Sequence, residues 1–218
     1  MDAAAADVSS KPVAAWGAVL SMALCVAMLI ASEFMPVSLL TPMAEGLHAT
    51  EGQTGQAISI SGLFAVVASM LVTTVAGRLN RKWVLIALTA FMLLSLVLVA
   101  AAPNFTILMI GRALLGICIG GFWALATAVI MRLVPAEDVP RALALMYGGQ
   151  AIAAAFAAPV GSYLGGLFGW REVFWALTPI VAVNLVWHVI ALPSLPAGQK
   201  QDFRAMFGLL KRRYFLRG

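Results

Sequence analysis

Six long runs of apolar residues, separated by short polar connections, organise this chain. Windows of about 19 residues place them at 15–38, 55–76, 83–102, 105–131, 142–167 and 172–192. At 1.5 Å of rise per residue, about 20 residues cross the hydrocarbon layer. Lipid offers no partner for backbone N–H and C=O groups, so such a run must satisfy them internally as a helix. The pattern therefore predicts an all-α membrane protein, a bundle of six transmembrane helices over 15–192, flanked by an N-terminal tail at 1–14 and a basic segment at 193–218. The first run, from about Trp16 to Val37, is too long for the apolar region of a signal peptide and has no small-residue cleavage site before the next hydrophilic loop, so it belongs to the mature protein. The connections, Thr41 to Thr54, Gly77 to Lys82, Pro103 and Asn104, Leu133 to Arg141 and Phe168 to Arg171, read as loops.

Composition supports this reading. Apolar residues make up 62% of the chain and charged residues 11%, against roughly 45–50% and about 25% in soluble domains. A net charge of +5 would suit a nucleic-acid polymer, but the distribution of the basic residues says otherwise. If the spans alternate, Lys11, Arg78, Arg81, Lys82, Arg132, Arg141 and the tail residues Lys200, Arg204, Lys211, Arg212, Arg213 and Arg217 share one face, and the other receives Arg171 alone. Cytoplasmic loops carry such an excess, so both termini are expected in the cytoplasm and the lipid bilayer, not a nucleic acid, is the expected partner. From Phe203 to Gly218 apolar and basic residues alternate as in an amphipathic helix on an anionic leaflet. Cys25 and Cys118 both fall within predicted spans and read as core-filling residues.

Only two charged side chains, Glu33 and Arg112, sit in the interiors of the runs. A charge at membrane depth costs at least about 2.5–3.5 kcal/mol and needs a partner or a wet cavity. Glu33 lies eight residues before Thr41, about 12 Å deep, and Arg112 seven residues into the fourth run, about 10 Å deep from the same side. Equal depth permits an ion pair. Separating such a pair would let the carboxylate take a proton, which couples substrate binding to proton movement; a permanent pair would instead fix helix register. Trp123, Tyr147 and Gln150 supply rings and an amide at membrane depth, the groups a nucleoside-like ligand needs. Asn184 and His188 are further polar residues there, and His188 reads first as a packing or interface residue. Gly111, Gly116, Gly120 and Gly121 in the fourth run read as a close-packing surface. Pro36 and Pro42 bracket the outer end of the first helix, and Pro159 sits inside the fifth, where it can kink. Phosphate-loop, zinc and nucleophile-elbow motifs are absent, which argues against an enzyme, an ATP-driven pump, a metal site or an organic cofactor.

Several phrases carry a resemblance. Glu33-Phe-Met-Pro-Val-Ser-Leu-Leu-Thr-Pro-Met-Ala44 resembles the first-helix signature of the drug:proton antiporter group of the major facilitator superfamily. Arg112-Ala-Leu-Leu-Gly116 is similar to the superfamily's fourth-helix motif, Ala158-Pro159-Val160-Gly161 to a variant of its antiporter motif, and Gly169-Trp170-Arg171 with Phe174 to its entry into the sixth helix. Gly77-Arg78-Leu79-Asn80-Arg81-Lys82 resembles a shortened form of its cytoplasmic gating loop, with Asn80 where a carboxylate is usual. Gly120-Gly-Phe-Trp-Ala124, Met131-Arg-Leu-Val-Pro135 and Leu192-Pro-Ser-Leu-Pro196 bring the likeness nearest to the purine ribonucleoside efflux permeases of bacteria.

The resemblance implies the amino-terminal six-helix half of a twelve-span carrier of the bacterial inner membrane, driven by the proton gradient and working by alternating access. Glu33 and Arg112 would be the coupling pair; Trp123, Tyr147 and Gln150 would line the substrate cavity; Gly77, Arg81, Lys82, Pro159 and Gly161 would serve gating. Its partners would be a small-molecule substrate such as inosine and a separate carboxy-terminal half or a second copy. The alternatives are a sugar or drug exporter of the same superfamily and an inactive, truncated half-transporter.

Overall fold

Capping side chains, which hydropathy does not register, set where three of the helices begin. The computed structural model describes residues 14–76 and 79–196. It contains α1 (Trp16–Ser38), α2 (Leu40–Gly46), α3 (Glu51–Ala76), α4 (Arg81–Ala100), α5 (Phe105–Leu133), a 3-10 turn (Ala136–Asp138), α6 (Val139–Phe168) and α7 (Trp170–Ala191). Six of these helices, all but α2, are long and apolar enough to cross a membrane. Thr50 and Gln53 form a reciprocal cap: the Thr50 N–H donates to Gln53 Oε1 at 2.9 Å and the Gln53 N–H to Thr50 Oγ1 at 3.1 Å. This starts α3 at Glu51, four residues before the apolar run that marked it. Asn80 caps α4 through the Lys82 N–H, and Asn104 caps α5 through the Ile107 N–H.

The expected loop at 41–54 is corrected. It contains α2, which buries Met43 and Ala44, and Thr41 Oγ1 donates to Glu51 Oε1 at 2.6 Å across the turn that follows. Pro36 does not bracket α1, which runs through it to Ser38, and Pro42 falls inside α2. Pro159 lies within α6 without ending it. Lys11, Gly77, Arg78 and the basic tail beyond residue 196, with its expected amphipathic helix, lie outside the described residues.

Glycines decide which helices touch. On α5, a Cβ at Gly116 would collide with the backbone of Ser61 and one at Gly120 with the backbone of Ala65. Helices α3 and α5 therefore run parallel in close backbone contact, which bulkier side chains would prevent. Helix α1 runs parallel to α6, where a Cβ at Gly149 would come within 3.3 Å of the Ala23 carbonyl oxygen and one at Gly161 would press on Met35 and Ser38. Helix α4 is antiparallel to both α5 and α7: Ser95 donates to the Gly111 carbonyl at 2.7 Å, and Thr89 meets His188 at 3.0 Å. Exchanging the first three spanning helices with the last three exchanges the α1–α6 pair for the α5–α3 pair, the pattern of an inverted three-plus-three repeat. Large apolar side chains remain exposed along α3, among them Leu63 and Val66, and along α6, among them Ile152, Phe156 and Tyr163.

Arg81, Lys82, Arg132 and Arg141 gather at one end of the bundle, where the segment after α7 is fastened. Asn80 Nδ2 donates to Ser194 Oγ at 2.7 Å, and Asn80 Oδ1 accepts from the Leu195 N–H at 2.9 Å. The Arg81 N–H donates to the Leu195 carbonyl at 2.9 Å and Arg132 Nη1 to the Pro196 carbonyl at 3.1 Å. Asn80 thus serves as both donor and acceptor at this junction. Asn80→Ala should remove the cap, at about 1 kcal/mol, and release this segment, so faster hydrogen exchange at the Leu195 amide is the expected outcome.

Candidate functional site

The site begins with a proline. Pro36 has no N–H, so the carbonyl of Ser32, one turn earlier in α1, loses its helical donor. Arg112 Nη1 supplies it at 2.9 Å. The same guanidinium donates through Nε to the Ala57 carbonyl of α3 at 3.1 Å, and through Nη2 to Glu33 Oε2 at 2.7 Å and Ser61 Oγ at 3.1 Å. Arg112 therefore joins α1, α3 and α5 and is almost completely buried, at 1% exposure, whereas the Glu33 side chain keeps 20%. A buried cation persists only when paired and hydrogen-bonded, and a planar guanidinium with five N–H groups can serve several acceptors at once.

Small residues make this geometry possible. Gly116 lies one turn beyond Arg112 on the same face of α5, and its contact with Ser61 brings α3 within reach of the guanidinium. Ala57, Ser61 and Ala65 repeat every four residues along the facing stripe of α3. The fully buried Ser61 hydroxyl lies 2.7 Å from Glu33 Oε1 and 2.7 Å from its own helix's Ile58 carbonyl. Ser32 and Ser61 escaped the reading from sequence. Depth could have found Ser61, six residues into the second apolar run, but Ser59 competes with it and periodicity gives no reason to prefer either.

The other expected site residues form a separate cluster. Trp123 of α5 stacks on Tyr147 of α6, with ring centroids 5.9 Å apart and planes 15° from parallel, and the Tyr147 hydroxyl lies 3.4 Å from Thr127 Oγ1. Tyr147 is 44% exposed, so one side of the platform remains open. Gln150, half-buried, follows Tyr147 by three residues, one turn along the same face of α6. Eleven residues of α5 separate Trp123 from Arg112, about 16 Å along the axis. The structure therefore does not bring the aromatic residues to the ion pair; Trp123 and Arg112 share α5 but lie at different depths.

Gly161 packs against α1 at Met35 and Ser38, two residues after Pro159. Lys82 lies 5.9 Å from the Trp83 ring, and Arg81 donates its backbone N–H to Leu195. His188 is wholly buried and lies within hydrogen-bonding distance of Thr89, with its ring stacked near Phe122; it is a packing residue, not an interface one. Asn184 is equally buried and does not face an open cavity. Cys25 and Cys118 are buried free thiols.

This chain belongs to the Major Facilitator Superfamily, whose domain matches residues 22–217. It is 53% identical over 201 residues to the transcription regulatory protein OpdE of Pseudomonas aeruginosa, covering 90% of this chain and 50% of that protein. It is 43% identical over 197 residues to the purine ribonucleoside efflux pump NepI of Salmonella typhimurium, with the same coverage. The chain thus spans about half the length of the curated relatives it matches. Among solved structures, a POT family transporter in complex with a thioalcohol-conjugated peptide superposes with a TM-score of 0.72 at 13% identity, over 89% of this chain and 43% of that one. A bacterial homologue of the human lysosomal transporter Spinster, inward-facing and unoccupied, superposes with a TM-score of 0.68 at 17% identity, over 87% of this chain and 46% of that one. The fold is that of one six-helix half of this superfamily, and the chain is a multi-pass membrane protein.

Proposed function

We propose that this chain is the amino-terminal half of a proton-coupled efflux carrier of the bacterial inner membrane, with both termini cytoplasmic, exporting purine ribonucleosides by alternating access. The observation that carries this reading is the buried Arg112 guanidinium paired with a Glu33 carboxylate whose side chain this half-bundle leaves partly uncovered. Glu33 exchanges a proton with water, while Arg112, tied to three helices, transmits the change in charge to their packing. The Trp123–Tyr147 platform stacks the base and Gln150 bonds its edge. The likeness to a purine ribonucleoside efflux pump at 43% identity supports that cargo. Pro159 and Gly161 act at the α1–α6 seam, and Arg81 and Lys82 with Gly77 at the inner gate. The energy source is the proton gradient, without a cofactor. The exposed faces of α3 and α6 suit a carboxy-terminal half or a second copy, which completes the cavity.

Proton-gradient-driven inosine uptake into inverted vesicles tests the proposal, with the chain alone and with a matching second half, and with arabinose and a lipophilic cation as competitors. Uptake with the second half, blocked by inosine alone, is the expected result; preferential block by arabinose or the cation would reassign the cargo. Trp123→Ala should weaken apparent inosine affinity by the worth of one base–aromatic stack, about 1–3 kcal/mol, or about 5- to 150-fold. An unchanged KM would remove Trp123 from the binding site.

A further inference from the structure

Glu33 presents its two carboxylate oxygens to different partners. Oε2 faces Arg112 Nη2 at 2.7 Å, and Oε1 faces Ser61 Oγ at 2.7 Å. A guanidinium has donors only, so a proton placed on Oε2 would meet another N–H with no lone pair to receive it. A hydroxyl has one proton and two acceptor lone pairs, and it can be turned either way. Ser61 has two destinations for its proton at equal distance: Glu33 Oε1 and the Ile58 carbonyl, both at 2.7 Å.

We propose that Ser61 is a positioning residue that directs the proton to Oε1 of Glu33 by reversing the direction of a single hydrogen bond. With Glu33 ionised, the Ser61 O–H donates to Oε1. When a proton from water binds Oε1, the new Glu33 O–H donates to Ser61 Oγ, and the serine proton rotates onto the Ile58 carbonyl. No heavy atom moves, no buried hydroxyl loses its partner, and the local charge changes from zero to plus one. Arg112 then still donates to the Ser32 and Ala57 carbonyls and to Ser61, so its charge stays solvated by protein when its counter-ion is neutralised. Alanine abolishes the reversal, whereas threonine carries the same hydroxyl.

This inference rests on the reading of Glu33 as the proton-exchanging group, yet its test does not require transport. The full chain in lipid nanodiscs is acidified, and the protonated-carboxyl stretch is recorded by infrared difference spectroscopy, with Glu33→Gln identifying the band. The expected result is a wild-type band at the low frequency of a hydrogen-bonded acid, shifted to higher frequency in Ser61→Ala and restored in Ser61→Thr. An unshifted band in folded Ser61→Ala overturns the inference, as does a wild-type chain without a band assigned to Glu33. If Ser61→Ala does not fold, Ser61→Cys, whose thiol is a weak donor and acceptor, must give a smaller shift in the same direction, and no shift overturns the inference. A shifted band without inosine uptake would leave the inference standing and remove the nucleoside-export reading; inosine uptake with an unshifted band would do the reverse.

Discussion

Replacing Arg112 with alanine is expected to abolish proton-driven uptake and to destabilise the bundle by about 3–5 kcal/mol, the cost of breaking a buried, hydrogen-bonded ion pair. The residue binds four groups on two neighbouring helices. Its removal leaves the Ser32 carbonyl, which Pro36 cannot serve, without a donor and the Glu33 carboxylate without its cation. Arg112→Lys keeps the charge but not the planar fork, so it should recover part of the stability and little of the coupling. Equilibrium unfolding of the purified chain in mixed micelles measures the first effect and vesicle uptake the second. A loss below about 1 kcal/mol, the range of an exposed pair, would mean that the site is more hydrated than its burial indicates.

The second large effect is expected from the glycines that hold α3 against α5. A methyl group at Gly116 or Gly120 would overlap the backbone of Ser61 or Ala65, and a backbone atom cannot rotate aside as a side chain can. Each alanine substitution should cost about 1–3 kcal/mol by overpacking, and the pair together should displace Ser61 from Arg112 and Glu33 and depress uptake along with stability. Gly148→Ala is the control. A Cβ there meets nothing within 4 Å, so the usual advantage of alanine over glycine in a helix, about 0.5–1 kcal/mol, should appear undiminished. If Gly116→Ala behaved like Gly148→Ala, helices α3 and α5 would not be in backbone contact.

The number of spans, their order and the depths of Glu33 and Arg112 were determined by the sequence alone. These are one-dimensional quantities: an apolar run long enough to cross lipid must be a helix, and depth follows from counting residues at a fixed rise. The family motifs likewise reside in contiguous residues. The short helix α2 and the early start of α3 were hidden because their positions depend on caps and a packed turn, not on hydropathy. Which face each helix presents was decided only in three dimensions. These helices are apolar nearly all round, so no polar stripe marks the buried side. Equal depth allowed Glu33 and Arg112 to pair, but only tertiary packing turned them toward one another, chose Ser61 over Ser59, and gave the carbonyl freed by Pro36 to a guanidinium on another helix. Packing also turned Trp123 of α5 onto Tyr147 of α6, because rotation about each helix axis is fixed by where glycines let neighbouring backbones approach, whereas the distance of that stack from Arg112 follows from counting residues along α5.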